Sequence, residues 1–191
     1  MKKIILASAS PRRKQLLKKI GLKFKAIPSK IKESINPRLP IEAQIIRLAL
    51  AKAENVAKRL NSGLIIAADT VVCLDNKIFG KPKNFKQAKH ILSTLNNTTH
   101  RVLTAIAVID VKTKNRAVDI DKTIISTRKL TPKQIENFAL KNQDKAGAYA
   151  VQENTDVWVK KIRGDFYNIV GLPLGKIKSV LAAFGVKTKS F

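Results

Sequence analysis

The chemistry in this sequence starts from a carboxylate in apolar surroundings. Asp69 interrupts LIIAADTVVCLD, residues 64–75, a stretch with the unbroken apolar character of a central strand, and Thr70 stands beside it. A buried carboxylate without a partner is costly, so Asp69 needs a cation, a metal or a bend that exposes it, unless it is a structural aspartate holding a turn. GKP, residues 80–82, follows a hairpin-like DNK turn and returns Lys81 to the neighbourhood. A second misplaced charge lies upstream. IEAQIIRLALAKAENVAKRL, residues 41–60, reads as a long amphipathic helix with Ile41, Ile45, Leu48 and Val56 on its apolar stripe, and Lys52 falls in the middle of that stripe. Either its stem packs while the ammonium snorkels outward, or the helix aims the ammonium into a polar cleft.

A third cluster opens the chain, in LASASPRRKQLLKKIG, residues 6–21. Ile4 to Ala7 has the β-branched character of a buried strand, and Leu16, Leu17 and Ile20 recur at helical spacing. Ser10 followed by Pro11 reads as an N-cap with proline at the first helical position, and Gly21 supplies the stop. This is strand, tight turn, helix. A helix start carries orphan N–H groups and the positive end of the macrodipole, and Arg12 and Arg13 add two permanent cations there. Cations are unfavourable at that end unless an anion joins them. Either both arginines face solvent, or Ser8, the amides and the guanidinium forks converge on a phosphate.

The elements that must position these groups follow from the rest of the chain. IPSKIKESINPRLP, punctuated by proline, predicts an irregular surface segment before the long helix. Asn84 caps a helix with Phe85, Ala88, Leu92 and Leu95 inward, ended by Asn96 and Asn97, with His90 off the apolar face and toward solvent. Arg101 to Val111 and Ala117 to about Ser126 predict an antiparallel pair around a TKNR turn. Thr131 and Pro132 begin a helix with Ile135, Phe138 and Ala139 inward. AGAYAVQE and DVWVKKI are short strand candidates, and Pro173 opens a last helix with Leu174, Ile177, Leu181 and Phe184 inward, closed by Gly185. The pattern predicts α/β with a mixed sheet.

With 191 residues and 45% hydrophobic content, the chain can bury a substantial core and is most naturally one domain, residues 1–191. No run near about 18 apolar residues and no basic-then-apolar leader occurs, so the expectation is a cytoplasmic protein without a membrane span. Cys73 is the one cysteine and reads as core filler. The net charge of +25 invites a nucleic-acid reading. Lysines dominate it and are scattered through every segment, whereas specific readers concentrate arginine and interleave aromatics. Nucleic acid is therefore expected only as a non-specific partner, by charge. With 13 acidic residues, a metal has few candidate ligands.

The landmarks LASASPRR, the loop around Glu33, the helix lysine Lys52, AADTVV, GKP, THRVLTA, KAGAYAVQ and GDFYNIVGLPL stand in order along nearly the whole chain. Together they resemble the Maf family of nucleoside triphosphate pyrophosphatases, once described as septum-formation inhibitors. The resemblance implies an elongated mixed sheet of inosine triphosphatase-like architecture, with two lobes around a central cleft. It also implies a cytoplasmic enzyme, often a homodimer, that hydrolyses a nucleoside triphosphate to the monophosphate and pyrophosphate with magnesium or manganese. Asp69 would be the general base, Glu33 and Asp69 would share the metal's surroundings, and Ser8, Arg12, Arg13, Lys52 and Lys81 would hold the triphosphate. The chain departs from the family at Asp144, where glycine is usual, and at Asn96 and Asn97, where a Ser-Gly pair is usual.

Arg12, Thr70 and Gln152 occupy the positions associated with the branch that prefers dTTP and UTP. The Gln152 amide can accept from N3–H of uracil or thymine and donate to O4, and rotated it can suit cytosine. Thymine and uracil differ by one methyl, worth about 1 to 3 kcal/mol to a site, so use of both is expected. The alternative reading is a basic nucleic-acid-binding or cell-division regulatory protein with little turnover.

Overall fold

The computed structural model describes residues 2–34, 36, 38–141, 146–149 and 157–190. In chain order these form β1 (Ile4–Leu6), α1 (Pro11–Lys19), β2 (Phe24–Ala26), α2 (Ile41–Ala57), β3 (Leu64–Leu74), β4 (Lys77–Phe79), α3 (Phe85–Leu95), β5 (Thr99–Asp110), β6 (Arg116–Thr127), α4 (Pro132–Lys141), a 3-10 turn (Ala146–Ala148), β7 (Val159–Arg163), α5 (Phe166–Val170) and α6 (Leu174–Ala183). The strands make one seven-stranded sheet in the order β2-β1-β3-β5-β6-β7, with β4 on β3. It is the mixed α/β sheet flanked by helices that the sequence predicts. No helix among the described residues is long and apolar enough to cross a membrane. The chain divides into two compact units, one of residues 1–69, 104–121 and 171–191, the other of residues 70–103 and 122–170.

In the first unit β1 lies parallel to both β2 and β3, pairing Ile4 with Phe24 and with Leu64. Parallel neighbours need crossovers, and α1 and α2 supply them. Ser10 caps α1 by accepting from the Arg13 amide, with Pro11 at the first helical position. At its other end the Gly21 amide donates to Lys18 O and the Leu22 amide to Leu17 O, which closes the helix with Gly21 at φ +76°. The expected start and stop of α1 are both present. Strand β3 is buried along nearly its whole length, as a central strand is. Strand β2 has no counterpart in the sequence reading, because three residues, with Lys23 before them and Lys25 in their middle, are too short a run to show a strand pattern.

The second unit packs around a cluster that includes Val72, Phe79, Leu92, Leu95, Val102, Ile125, Phe138, Tyr149 and Trp158. Strands β3 and β4 form the expected hairpin, with Val72 opposite Phe79. Asn84 caps α3 by accepting from the Gln87 amide, and Asn97 sits at φ +54°, the left-handed turn expected of an asparagine there. His90 is exposed and Cys73 buried, as expected. Thr131 and Gln134 form a reciprocal capping box at the start of α4. One expectation fails in its described part. Residues 146–148 of AGAYAVQE form a 3-10 turn rather than a strand, because Gly147 and Ala148 both take positive φ, and a Cβ at Gly147 would lie 2.7 Å from Val72. Asp144 lies outside the described residues.

His100 is 1% exposed in this unit, with Nε2 2.8 Å from the Tyr149 hydroxyl. Tyr149 stacks edge-on against Trp158, and Trp158 against Phe138. Burial lowers the His100 pKa from its ordinary 6.5 to about 4. Between those values the unfolded chain takes up a proton that the native ring refuses, so stability falls as pH drops through the window. The loss is on the order of 3 kcal/mol at its foot. Urea unfolding followed across that window should show the slope in the native sequence and its loss in His100→Gln, since the other histidine is exposed. An unchanged slope would acquit His100.

Candidate functional site

Lys52 and Asp69 are both buried, at 8% and 5% exposure, and the Lys52 ammonium contacts Asp69 Oδ1. This resolves the choice left open for Lys52: the helix aims it inward at a carboxylate. Helix α2 is built from strong helix formers, and one turn of its buried face carries the lysine between Leu48 and Val56. Asp69 follows the buried run Leu64–Ala68 of β3. Both charges are out of bulk water, so each depends on the other.

The same ammonium reaches Glu33 Oε1 at 2.7 Å, and the Glu33 side chain is 58% exposed. Glu33 lies in the irregular segment expected from its prolines, and α2 and the turn after it hold that segment directly. Arg59 Nη2 donates to Pro28 O at 2.9 Å, the Lys30 amide donates to Asn55 Oδ1 at 3.0 Å, and Arg47 Nη2 donates to Ser34 O at 2.8 Å. One helix thus presents the cation and fixes the loop bearing the second carboxylate.

At the start of α1, the Arg13 Nε donates to Gly171 O at 2.8 Å and its Nη1 lies 3.4 Å from Ser8 Oγ. Ser8 Oγ also accepts from the Ser10 amide at 3.2 Å. Burial is the largest influence on the Arg13 guanidinium and lowers its pKa; the charge of Asp69 raises it, that of Arg12 lowers it further, and that of Glu33 raises it. These groups therefore sense one another electrostatically. The helix amides are largely taken internally: Pro11 has none, the Arg13 amide bonds to Ser10 Oγ and the Lys14 amide to Ser10 O. Attraction for an anion here rests on side chains more than on the helix start.

The first unit thus holds Ser8, Arg12, Arg13, Glu33, Lys52 and Asp69. Thr70 opens the second unit next to Asp69 in β3, and Lys81 is exposed after β4 in that unit. Gln152 lies outside the described residues. Gly171 was missed by sequence reasoning. The signal available was its place in GDFYNIVGLPL, a landmark with no role attached. Among the described residues no group of three or more His, Cys, Asp or Glu could hold a metal ion.

A buried lysine–aspartate pair and a basic helix start are thus carried on a mixed α/β sheet. The chain belongs to the Maf family: the family model described as Maf-like protein matches residues 3–184. Curated relatives include the dTTP/UTP pyrophosphatase of Moorella thermoacetica, 43% identical over 188 residues and covering 97% of each chain. That of Caldicellulosiruptor saccharolyticus is 40% identical over 191 residues, covering 97% of this chain and 96% of its own. That of Clostridium botulinum is 42% identical over 192 residues, covering 97% and 99%. Among solved structures, the Staphylococcus aureus Ham1 protein is similar over 66% of this chain and 72% of its own, with TM-score 0.46 and 18% identity.

Replacing Lys52 by methionine should leave Asp69 as an uncompensated buried charge and cost about 3–5 kcal/mol of stability, measured by urea unfolding. Adding Asp69→Leu to the same chain should restore most of that loss. A Lys52→Met protein as stable as the native one would contradict the pairing.

Proposed function

We propose that this protein hydrolyses dTTP and UTP to the monophosphate and pyrophosphate, with Asp69 as the general base. The observation that carries the reading is the buried Lys52–Asp69 pair beside the Ser8, Arg12 and Arg13 helix start. Relatives near 40% identity over nearly the full length bear the name dTTP/UTP pyrophosphatase and support the choice of substrate.

In this reading the ammonium holds the Asp69 carboxylate in one orientation. The carboxylate takes a proton from a water molecule, whose oxygen forms a bond to the α-phosphorus. The bond from that phosphorus to the oxygen bridging toward the β-phosphorus breaks, and its electron pair leaves with pyrophosphate. Arg12, Lys52 and Lys81 offset the charge that gathers on the phosphate oxygens, and Ser8 and Arg13 complete the group that holds the triphosphate, since such a reaction is governed by positioning and electrostatics. Arg12, Thr70 and Gln152 are assigned to the choice of base, with the Gln152 amide matched to the imide edge of uracil and thymine.

Glu33 and Asp69 both contact the Lys52 ammonium, so two carboxylates lie close together, oxygen donors of the kind a hard divalent cation would take. Those two residues would hold magnesium or manganese. The ion's contribution when bound is to neutralise phosphate charge. We place the protein in the cytoplasm, a compartment that suits a lone buried cysteine. The homodimer rests on the family resemblance.

Purified protein given dTTP or UTP with magnesium should release pyrophosphate, and Asp69→Asn should reduce turnover by about 10²–10⁴-fold. The variant's thermal melt checks that it still folds. Ordinary turnover in folded Asp69→Asn would remove the aspartate from its role.

A further inference from the structure

The motif GDFYNIVGLPL has no part in the chemistry described so far, yet its Gly171 carbonyl holds Arg13. Arg13 in turn faces Ser8, whose hydroxyl oxygen lies within reach of two N–H donors. A serine hydroxyl has two acceptor lone pairs and one proton. The Ser10 amide approaches Ser8 Oγ from one side at 3.2 Å and Arg13 Nη1 from another at 3.4 Å. With N–H donors at both lone pairs, the Ser8 proton has to point away from both, as a donor. A hydroxyl so arranged is a preset donor to an anion rather than a rotor that must be oriented on binding.

We infer that Arg13 is a positioning residue: anchored on the Gly171 carbonyl, it fixes Ser8 so that the serine hydroxyl donates to a phosphate oxygen of the substrate. The inference rests on the pyrophosphatase reading for its substrate. Both contacts to Ser8 Oγ are long for such hydrogen bonds, and they tighten when a phosphate draws on the hydroxyl proton, because a hydroxyl that donates becomes a better acceptor. The anchor is specific to its backbone. Gly171 is buried, stands between α5 and α6 and holds φ +112°, where residues with a Cβ are strained. Arg13 Nε reaches its carbonyl at 2.8 Å, the shortest of these contacts, so the guanidinium is tied to the α5–α6 junction first and offers Ser8 only a remaining N–H.

A lysine at position 13 has no planar fork and cannot hold both partners in this way. The test is a double-mutant cycle with Ser8→Ala and Arg13→Lys, read by steady-state pyrophosphate release from UTP and by calorimetric binding of inorganic tripolyphosphate. Arg13→Lys alone should lower kcat/KM by about tenfold and weaken tripolyphosphate binding in step; in the Ser8→Ala background the same change should cost less than about twofold. Gly171→Ala, which leaves both side chains intact, should reproduce the Arg13→Lys loss and likewise become silent without Ser8. It keeps the cycle readable if Arg13→Lys melts below the assay temperature. Multiplicative losses would overturn the inference, since Arg13 would then act on the substrate by itself. A native protein that binds tripolyphosphate but hydrolyses no triphosphate would defeat the enzyme reading instead, leaving the cycle to be decided by binding alone.

Discussion

A carboxylate inside an apolar strand must have a counter-charge, and in this protein nearly every feature of the site follows from how that requirement is met. Asp69 continues the buried run of β3, where water cannot solvate it. Its cation is Lys52, delivered on the buried face of α2. A pair of this kind contributes little net stability, because removing two charges from water costs about what their attraction returns. Its value lies in fixing one orientation. The aspartate cannot leave the lysine and the lysine cannot turn to solvent, so the carboxylate faces the same way before a substrate arrives. Such preorganisation is what the general-base role proposed for Asp69 calls for.

The remaining parts of the site are arranged around this pair by short local devices. Two side chains of α2, Arg47 and Asn55, and Arg59 in the turn after it hold the segment from Pro28 to Ser34, which places Glu33 against the same ammonium. The capped start of α1 adds Arg12 and Arg13, and the Arg13 guanidinium senses both carboxylates as well as its neighbour. The strongly basic composition, with a net charge of +25, draws polyanions toward the protein generally.

What the sequence makes legible is whatever breaks a pattern. Lys52 stands out because it violates a 3.6-residue apolar stripe, and Asp69 because it interrupts an apolar run; both prove to be partners. Caps and stops at Ser10, Gly21, Asn84 and Asn97 were readable because each has a local backbone reason. Glu33 violates nothing, being an acidic residue in an irregular segment, so only the family resemblance pointed to it. The Arg13–Gly171 contact joins residues 158 positions apart and involves a carbonyl, which no side-chain pattern reports. The turn at residues 146–148 read as a strand because small and apolar residues alternate there, and only the positive φ values of Gly147 and Ala148 reveal otherwise. Helix α5 is five residues long, rich in aromatic and β-branched types, and depends on Asp165 Oδ1 accepting from the Tyr167 amide.

The central claim is that a water directed by Asp69 attacks the α-phosphorus of a triphosphate held by these cations. Hydrolysis of UTP in water enriched in heavy oxygen, with both products analysed by mass spectrometry, tests it most directly. The label should appear in the nucleoside monophosphate and be absent from pyrophosphate. Label in pyrophosphate, or release of orthophosphate in its place, would mean that the attack falls on a different phosphorus and that Asp69 does not direct the water as described.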